Sequence, residues 1–288
     1  MKVIKTENLN YIYQPGMPYE KHALCDVNIE IPDGDFTAVI GHTGSGKSTL
    51  IQHLNGLIKP TSGKIIIDGT DITAPGTDMK SVRKKVGLVF QYPEHQLFEE
   101  TVYRDIAFGP KNMGLSEEEI KERVIEAARL VNLDEELLES SPFELSGGQK
   151  RRAAIAGVLS MHPKILILDE PTAGLDPKGR DSLLALLTSL HEKLNMTVIL
   201  VSHSMEDVAK VAKNIIVMNG GKVFMHASVP EVFERGEELI NIGLNVPQIT
   251  QLFNRLIGMG ADLPRDIYTV KYAAGILEKK MKEKFGKR

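Results

Sequence analysis

Phe36-Thr37-Ala38-Val39-Ile40 runs straight into Gly41-His42-Thr43-Gly44-Ser45-Gly46-Lys47-Ser48, and the reading of this junction decides the fold. The first five residues are a continuous apolar run of the kind that forms a buried strand. Beyond Ser48, the residues Leu50, Ile51, Leu54 and Leu57 share one face at helical spacing, so the glycine-rich octet joins a strand to a helix. In that setting G-x-x-x-x-G-K-[ST] is a phosphate-binding loop. Its glycines let the backbone close on phosphate oxygens with no Cβ in the way. Its N–H groups, together with the N-terminus of the following helix, make an anion site. Lys47 is expected to reach the β- and γ-phosphates, Ser48 to ligate Mg²⁺ through its hydroxyl, and Thr49 to stand beside the α- and β-phosphates. The competing reading, a glycine turn that binds nothing, is disfavoured by the strand-loop-helix setting.

Working outward, Ile165-Leu166-Ile167-Leu168 is a second buried strand, and it ends in Asp169-Glu170. Two acids at a strand end are often just a solvated exit. Beside a phosphate loop, Asp169 is suited to hold Mg²⁺, directly or through water, and Glu170 to polarise a water in line with the γ-phosphate. Val198-Ile199-Leu200-Val201 reads as a further central strand. The alternation of short apolar runs with longer helical patterns is that of an α/β fold with a largely parallel sheet. Residues 3–31 alternate more strictly, which predicts an antiparallel sheet layered on this core. Residues 92–161 read as a mainly helical insertion: Ser116-Glu117-Glu118-Glu119 has capping-box spacing, and Ile120, Val124, Ala127 and Leu130 follow at helical intervals. A hairpin is expected around Asn219-Gly220-Gly221, and after Ser228 helical patterns dominate.

Composition narrows the function. Of the 288 residues, 42% are hydrophobic and 25% charged, the balance of an ordinary globular protein. A net charge of -3 leaves no bulk basic field, so no nucleic-acid partner is expected. The lone Cys25 rules out an internal disulfide and is expected to be a small buried apolar residue. The N-terminal MKVIKTENLNYIY lacks the apolar run of a signal peptide, and no apolar stretch is long enough to span a bilayer. Work at a membrane would therefore need a partner that crosses it.

Leu145-Ser146-Gly147-Gly148-Gln149 adds a second anion-binding pattern, a helix start with exposed N–H groups and a hydroxyl. With these residues the chain resembles the ATP-binding cassette (ABC) family, whose signature they match in full. The resemblance spans about residues 1–235. It implies a P-loop NTPase (RecA-like) core with an antiparallel β-subdomain, an α-helical signature subdomain at about 92–161, and a C-terminal helical extension at 236–288. It also implies ATP as substrate, Mg²⁺ as cofactor, and a dimer in which the signature of one cassette closes over ATP held by the loop of the other. Gln91 looks like the glutamine that senses Mg²⁺ and links nucleotide to the transmembrane partner. His203 looks like the switch histidine that contacts the γ-phosphate and holds Glu170. Ala173-Gly174-Leu175-Asp176 occupies the D-loop position but departs from the usual S-A-L-D at its first two residues, so only Asp176 is carried over. Tyr13 lies where the family stacks an aromatic on adenine, with Tyr11 as the competing candidate and core packing as the bland one.

A narrower similarity is to the ATPase subunits of energy-coupling-factor (ECF) importers, which take up vitamins and transition-metal ions. It is carried by Gly41-His42-Thr43-Gly44, by Phe90-Gln91-Tyr92-Pro93-Glu94-His95-Gln96-Leu97-Phe98, and by Pro171-Thr172-Ala173-Gly174-Leu175-Asp176-Pro177. It implies a second cassette, identical or related, a transmembrane coupling protein, and a small substrate-binding membrane protein. It also implies a peripheral position on the cytoplasmic face of the cell membrane. Glu94, Gln96, Leu97 and Phe98 would lie at the coupling surface, unless Leu97 and Phe98 are simply core. The C-terminal extension fits the part through which such ATPases contact one another, and in it Val270, Ala274, Leu277, Met281 and Phe285 fall near helical spacing, among Lys279, Lys280, Lys282, Lys284, Lys287 and Arg288. Two other readings are an ABC protein acting on ribosomes or DNA, which usually has two cassettes or a coiled-coil insertion, and a non-catalytic nucleotide sensor. The single cassette speaks against the first, and Lys47, Asp169, Glu170 and His203 against the second.

Overall fold

A computed structural model describes residues 2–285, with side chains through residue 282. Three strands, β1 (Lys2–Tyr13), β2 (Lys21–Val27) and β3 (Glu30–Pro32), precede β4 (Phe36–Ile40), the phosphate loop and α1 (Lys47–Leu54). Next come β5 (Ser62–Ile67), β6 (Thr70–Asp71), α2 (Met79–Lys85) and β7 (Val86–Val89). A helical stretch follows: a 3-10 turn (Pro93–Gln96), α3 (Val102–Asn112), α4 (Glu117–Leu130), two more 3-10 turns (Glu135–Glu139 and Pro142–Glu144) and α5 (Gly147–Leu159). The core then resumes with β8 (Ile165–Asp169), α6 (Pro177–Leu194), β9 (Thr197–Val201), α7 (Met205–Val211), β10 (Asn214–Asn219) and β11 (Lys222–Ser228). The chain ends in α8 (Val229–Glu234), α9 (Gly236–Asn241), α10 (Gln248–Gly258) and α11 (Val270–Phe285).

Two sheets result. The antiparallel one runs β2-β1-β5-β6 with β3 also on β1; the other runs β11-β10-β4-β9-β8-β7 and is parallel except for the β10–β11 hairpin. The parallel strands are apolar throughout because both faces are covered. In β8, Ile165 and Ile167 pack toward α1 and the antiparallel layer, while Leu166 and Leu168 pack toward the helices of the insertion. The same alternation splits Val198 and Leu200 from Ile199 and Val201 in β9. This topology brings the C-terminal ends of β4, β8 and β9 to one edge, the usual place for a ligand in an open α/β sheet.

Two expectations are corrected. Leu57 is 50% exposed, because α1 stops at Leu54 and Gly56 turns the chain away with φ 67°. Cys25 is half-buried rather than buried. The apolar stripe of α11 faces outward: Val270 is 70% and Met281 60% exposed, with Ala274 and Leu277 also on the surface. The helix instead docks through Ala273 and Ile276 onto Phe253 of α10 and Ile267. The small Ala273 lets α11 approach closely, which a helical-spacing argument cannot foresee. The side chains of Lys284, Phe285, Lys287 and Arg288 lie outside the described residues.

Candidate functional site

The phosphate loop has the shape that its glycines permit. A Cβ on Gly41 would collide with the Met218 carbonyl and Ser45 Oγ, and one on Gly46, at φ 103°, would stand 2.6 Å from the Ala23 carbonyl. Lys47 at the head of α1 is 8% exposed, and its Nζ donates to the carbonyls of Gly41 (2.7 Å) and His42 (3.0 Å). Burial lowers its pKa, an effect opposed by the charges of Glu170 and Asp169. His42 is tied to the β10–β11 hairpin through Nε2 and Asn219 Oδ1, 3.0 Å apart. Ser45 is fully buried and its Oγ has no partner. Thr43 and Gly44 form the exposed crest of the loop.

Asp169 closes β8 beside this loop, where the nearby Ser48 hydroxyl favours its charged form. Burial raises the Asp169 pKa, and the neighbouring Glu170 adds to this against the pull of Lys47. Glu170 sits in the left-handed region (φ 48°), which turns its side chain out of the strand direction toward the two flanking loops. Its Oε2 accepts from Gln91 Nε2 at 3.1 Å and lies 3.3 Å from His203 Nδ1. Residues from the ends of three neighbouring strands, β7, β8 and β9, thus converge on one carboxylate.

Tyr13 is 37% exposed at the rim, with its hydroxyl 3.2 Å from Thr49 Oγ1. Tyr11 stands edge-on behind it at 4.8 Å between centroids and is itself packed on His53. Of the two candidates for stacking, Tyr13 has the exposed ring and Tyr11 supports it. Lys21, opposite Tyr13 across β1 and β2, places its ammonium over Gly44. Nothing in the sequence spacing pointed to Lys21.

The signature stands outside this cluster. Ser146 caps α5, and Gln149 reaches back to it, with its Oε1 accepting from the Ser146 N–H (2.9 Å) and hydroxyl (2.8 Å). Leu145 anchors the turn in the core. Gly147 and Gly148 then fill the first helical positions, where a Cβ would meet nothing within 4 Å and φ is ordinary. Glycine costs a helix roughly 0.5–1 kcal/mol against alanine. The fold gains nothing from these two glycines. Asp176 caps α6 through the Gly179 N–H at 2.7 Å. Gly174 takes φ 74°, which accounts for one departure from S-A-L-D.

Beside the Pro93–Gln96 turn lies a groove of 480 Å³, lined by Gln96, Leu97, Phe98, Asp105, Phe108 and Met161 and rimmed by Lys80, Arg83 and Lys84. Phe98 is 64% exposed and meets Phe108 edge-on at 5.1 Å, while Leu97 is half-buried against the core. Glu94 departs from the expected surface role: it turns inward to Arg151. Asp105 was not foreseen, although an acid between Val102 and Ile106 on a helix face was a visible sign. Its Oδ1 accepts from the Phe98 and Glu99 N–H groups, its Oδ2 is unpartnered, and burial raises its pKa. Among the described residues no helix is long and apolar enough to cross a membrane. None holds a cluster of three His, Cys, Asp or Glu side chains suited to a metal.

Comparison with known proteins agrees with this geometry. The family described as "ABC transporter" matches residues 24–173. A protein named energy-coupling factor transporter ATP-binding protein EcfA2 from Caldanaerobacter subterraneus subsp. tengcongensis is 59% identical over 94% of each chain. Its namesake from Clostridium perfringens is 58% identical over 94% of this chain and 95% of its own. Among solved structures, CbiO1 from Clostridium perfringens, described as part of the ABC transporter complex CbiONQ, superposes with a TM-score of 0.75 at 41% identity. It covers 88% of this chain and 99% of CbiO1. The ATP-binding cassette MJ0796, in a dimeric post-hydrolysis state bound to ADP and Pi, gives 0.69 at 31% identity over 78% of this chain and 98% of its own. With the phosphate loop, the Asp169-Glu170 strand end and the capped signature all in place, the chain belongs to the ABC transporter family and, within it, to the energy-coupling factor transporter ATP-binding proteins.

Proposed function

We propose that the chain hydrolyses ATP as one of two cassettes closing face to face, and that this closure powers an ECF importer of vitamins or transition-metal ions. The observation that carries this is the pair of bare glycines on the Ser146-capped helix. One chain has a complete cradle and, apart from it, a second helix start stripped of side chains. Two cassettes set head to tail complete both sites, each signature covering the other's ATP. The second cassette is this chain again or a related one.

The residues fit Mg²⁺. Ser48 and Asp169 present oxygens side by side, and the Asp169 charge, disfavoured by burial, is of the kind a divalent cation relieves. Gln91 gives its amide nitrogen to Glu170, which leaves its amide oxygen for the cation. When bound, Mg²⁺ would neutralise charge on the β- and γ-phosphates. Lys47 then turns from its own loop carbonyls to phosphate, and Tyr13 stacks on the adenine. Glu170 Oε2 is occupied by Gln91 and His203, so Oε1 is the oxygen left to orient the attacking water and take its proton. Positioning of this kind is worth about 7–11 kcal/mol of a barrier.

Gly148→Ala separates fold from function. The nucleotide-free variant should melt at or slightly above the wild-type temperature, since alanine is the better helix former by roughly 0.5–1 kcal/mol. Its ATP turnover should fall about tenfold, because an added methyl intrudes where the partner's ATP approaches. Full activity in the more stable variant would remove the signature from the second half-site.

The groove at Phe98 is the docking surface for the transmembrane coupling protein, which in turn carries a small substrate-binding membrane protein. Exposed aromatics over an apolar floor favour a helical segment of that partner. The outward stripe of α11 supports a contact between cassettes. In this reading the chain sits peripherally on the cytoplasmic face of the cell membrane, with no nucleic acid involved. The test is affinity purification of the tagged chain from membranes of its own host. Wild type should bring down a multi-spanning protein and a second cassette. Phe98→Glu should lose about 90% of the former, as truncating a central aromatic anchor does, and still bind ATP. Recovery of ribosomal or DNA-repair components with no integral membrane protein would sink the transporter reading.

A further inference from the structure

Arg151 lies one turn into α5, 5% exposed, and all three arms of its guanidinium are engaged. Nε and Nη2 grip the Glu94 carboxylate as a fork, Nε at 2.9 Å from Oε2. Nη1 donates to the carbonyls of Pro171 (2.9 Å) and Ala173 (3.1 Å). Arg151 and these partners belong to three separate pieces of machinery. Glu94 sits in the short turn between Gln91 and the groove residues Gln96 and Phe98. Pro171 and Ala173 directly follow Glu170 and lead to Asp176. Arg151 itself rides on the helix whose first turn is the signature. Two of these pieces also lie side by side: the Tyr92 ring stands so near Gly174 that a Cβ there would be 3.5 Å from it.

A buried ion pair is weak evidence for stability, since apolar residues of similar volume often serve as well. Its geometric value is greater. Only a planar guanidinium can hold a carboxylate with one edge and two carbonyls with another arm; a lysine ammonium has neither the span nor the fork. We propose that Arg151 is a positioning residue that makes the groove turn, the signature helix and the segment after Glu170 move as one body. Pressure on the groove is thereby delivered to the half-site offered to the partner cassette. The inference rests on the transporter reading for the origin of that pressure, and on the paired-cassette reading for its destination.

Glu94 and Arg151 can be separated experimentally. Glu94→Gln loosens the groove side and leaves Arg151 bonded to residues 171 and 173. Arg151→Lys and Arg151→Met loosen both. In cassette pairs carrying Glu170→Gln to hold the closed state, both Arg151 variants should raise the ATP concentration for half-closure about tenfold. Binding of a fluorescent ATP analogue to the open chain should change less than about twofold, as the cradle is untouched. Glu94→Gln should close near the wild-type ATP concentration. In the membrane complex in lipid nanodiscs, however, the ratio of its ATPase rate to that of the isolated pair should fall toward unity. A merely structural pair would lower the melting temperature of all three variants and move neither closure nor that ratio. Arg151→Lys closing at the wild-type ATP concentration, or Glu94→Gln keeping the full wild-type ratio, would overturn the proposal. If no membrane complex is recovered, the transporter reading falls, while closure of the pair still decides the role of Arg151.

Discussion

Glu170→Gln is expected to lower ATP turnover about 10²–10⁴-fold, the usual contribution of a positioned general base, while ATP still binds. Glutamine keeps the shape of the side chain and can still meet Gln91 and His203, which lie 3.1 and 3.3 Å from Oε2. What it loses is the ability to take a proton from water. The γ-phosphate therefore stays intact, and with it the charge and contacts that hold two cassettes together. Phosphate release and size-exclusion chromatography on the same sample check both halves of this expectation. Turnover should vanish into the background and an ATP-dependent dimer should accumulate. A variant that turns over at the wild-type rate takes Glu170 out of the chemistry altogether.

Lys47→Ala should fail one step earlier. The ammonium rests on the carbonyls of Gly41 and His42 in a nearly closed pocket. Burial works against its charge there, and only Asp169 and Glu170 help to keep it. A triphosphate is a far better partner than two carbonyls, so much of the binding energy is realised through this residue. Truncating one member of such a buried charge pair costs about 2–5 kcal/mol. At about 1.4 kcal/mol per decade, ATP affinity should drop on the order of 10²-fold or more. The nucleotide-free fold loses little, so its melting temperature should stay within a few degrees of wild type. Titration calorimetry and a thermal melt distinguish this result from simple unfolding, and wild-type affinity would overturn the cradle assignment.

How much of this was legible in the chain depends on the range over which each residue's role is set. The octet from Gly41 to Ser48 and the Asp169-Glu170 pair are read from neighbours a few positions away, because strand, turn and helix start are local. The caps at Ser116 and Ser146 are equally local, each closed by a side chain three residues on. Arg151 was invisible because its partner Glu94 is 57 residues distant, and no periodicity connects them. The left-handed backbone at Glu170 was invisible for a different reason: a non-glycine there is held by its surroundings against its own preference. Leu57 failed at a boundary, and the facing of α11 was left open. Spacing identifies an apolar stripe, yet the packing of Ala273 and Ile276 decides which stripe turns inward.

That outward stripe has a consequence for the life of the chain in a cell. Val270, Leu277 and Met281 form a sticky strip on the surface of the chain. If a second cassette covers this strip, chaperones and proteases would read it on orphan copies as the mark of unfinished assembly, and paired copies would outlast them. The abundance of this cassette would then follow that of its partner with no genetic control at all, and overproducing it alone would yield inclusion bodies where co-expression yields enzyme.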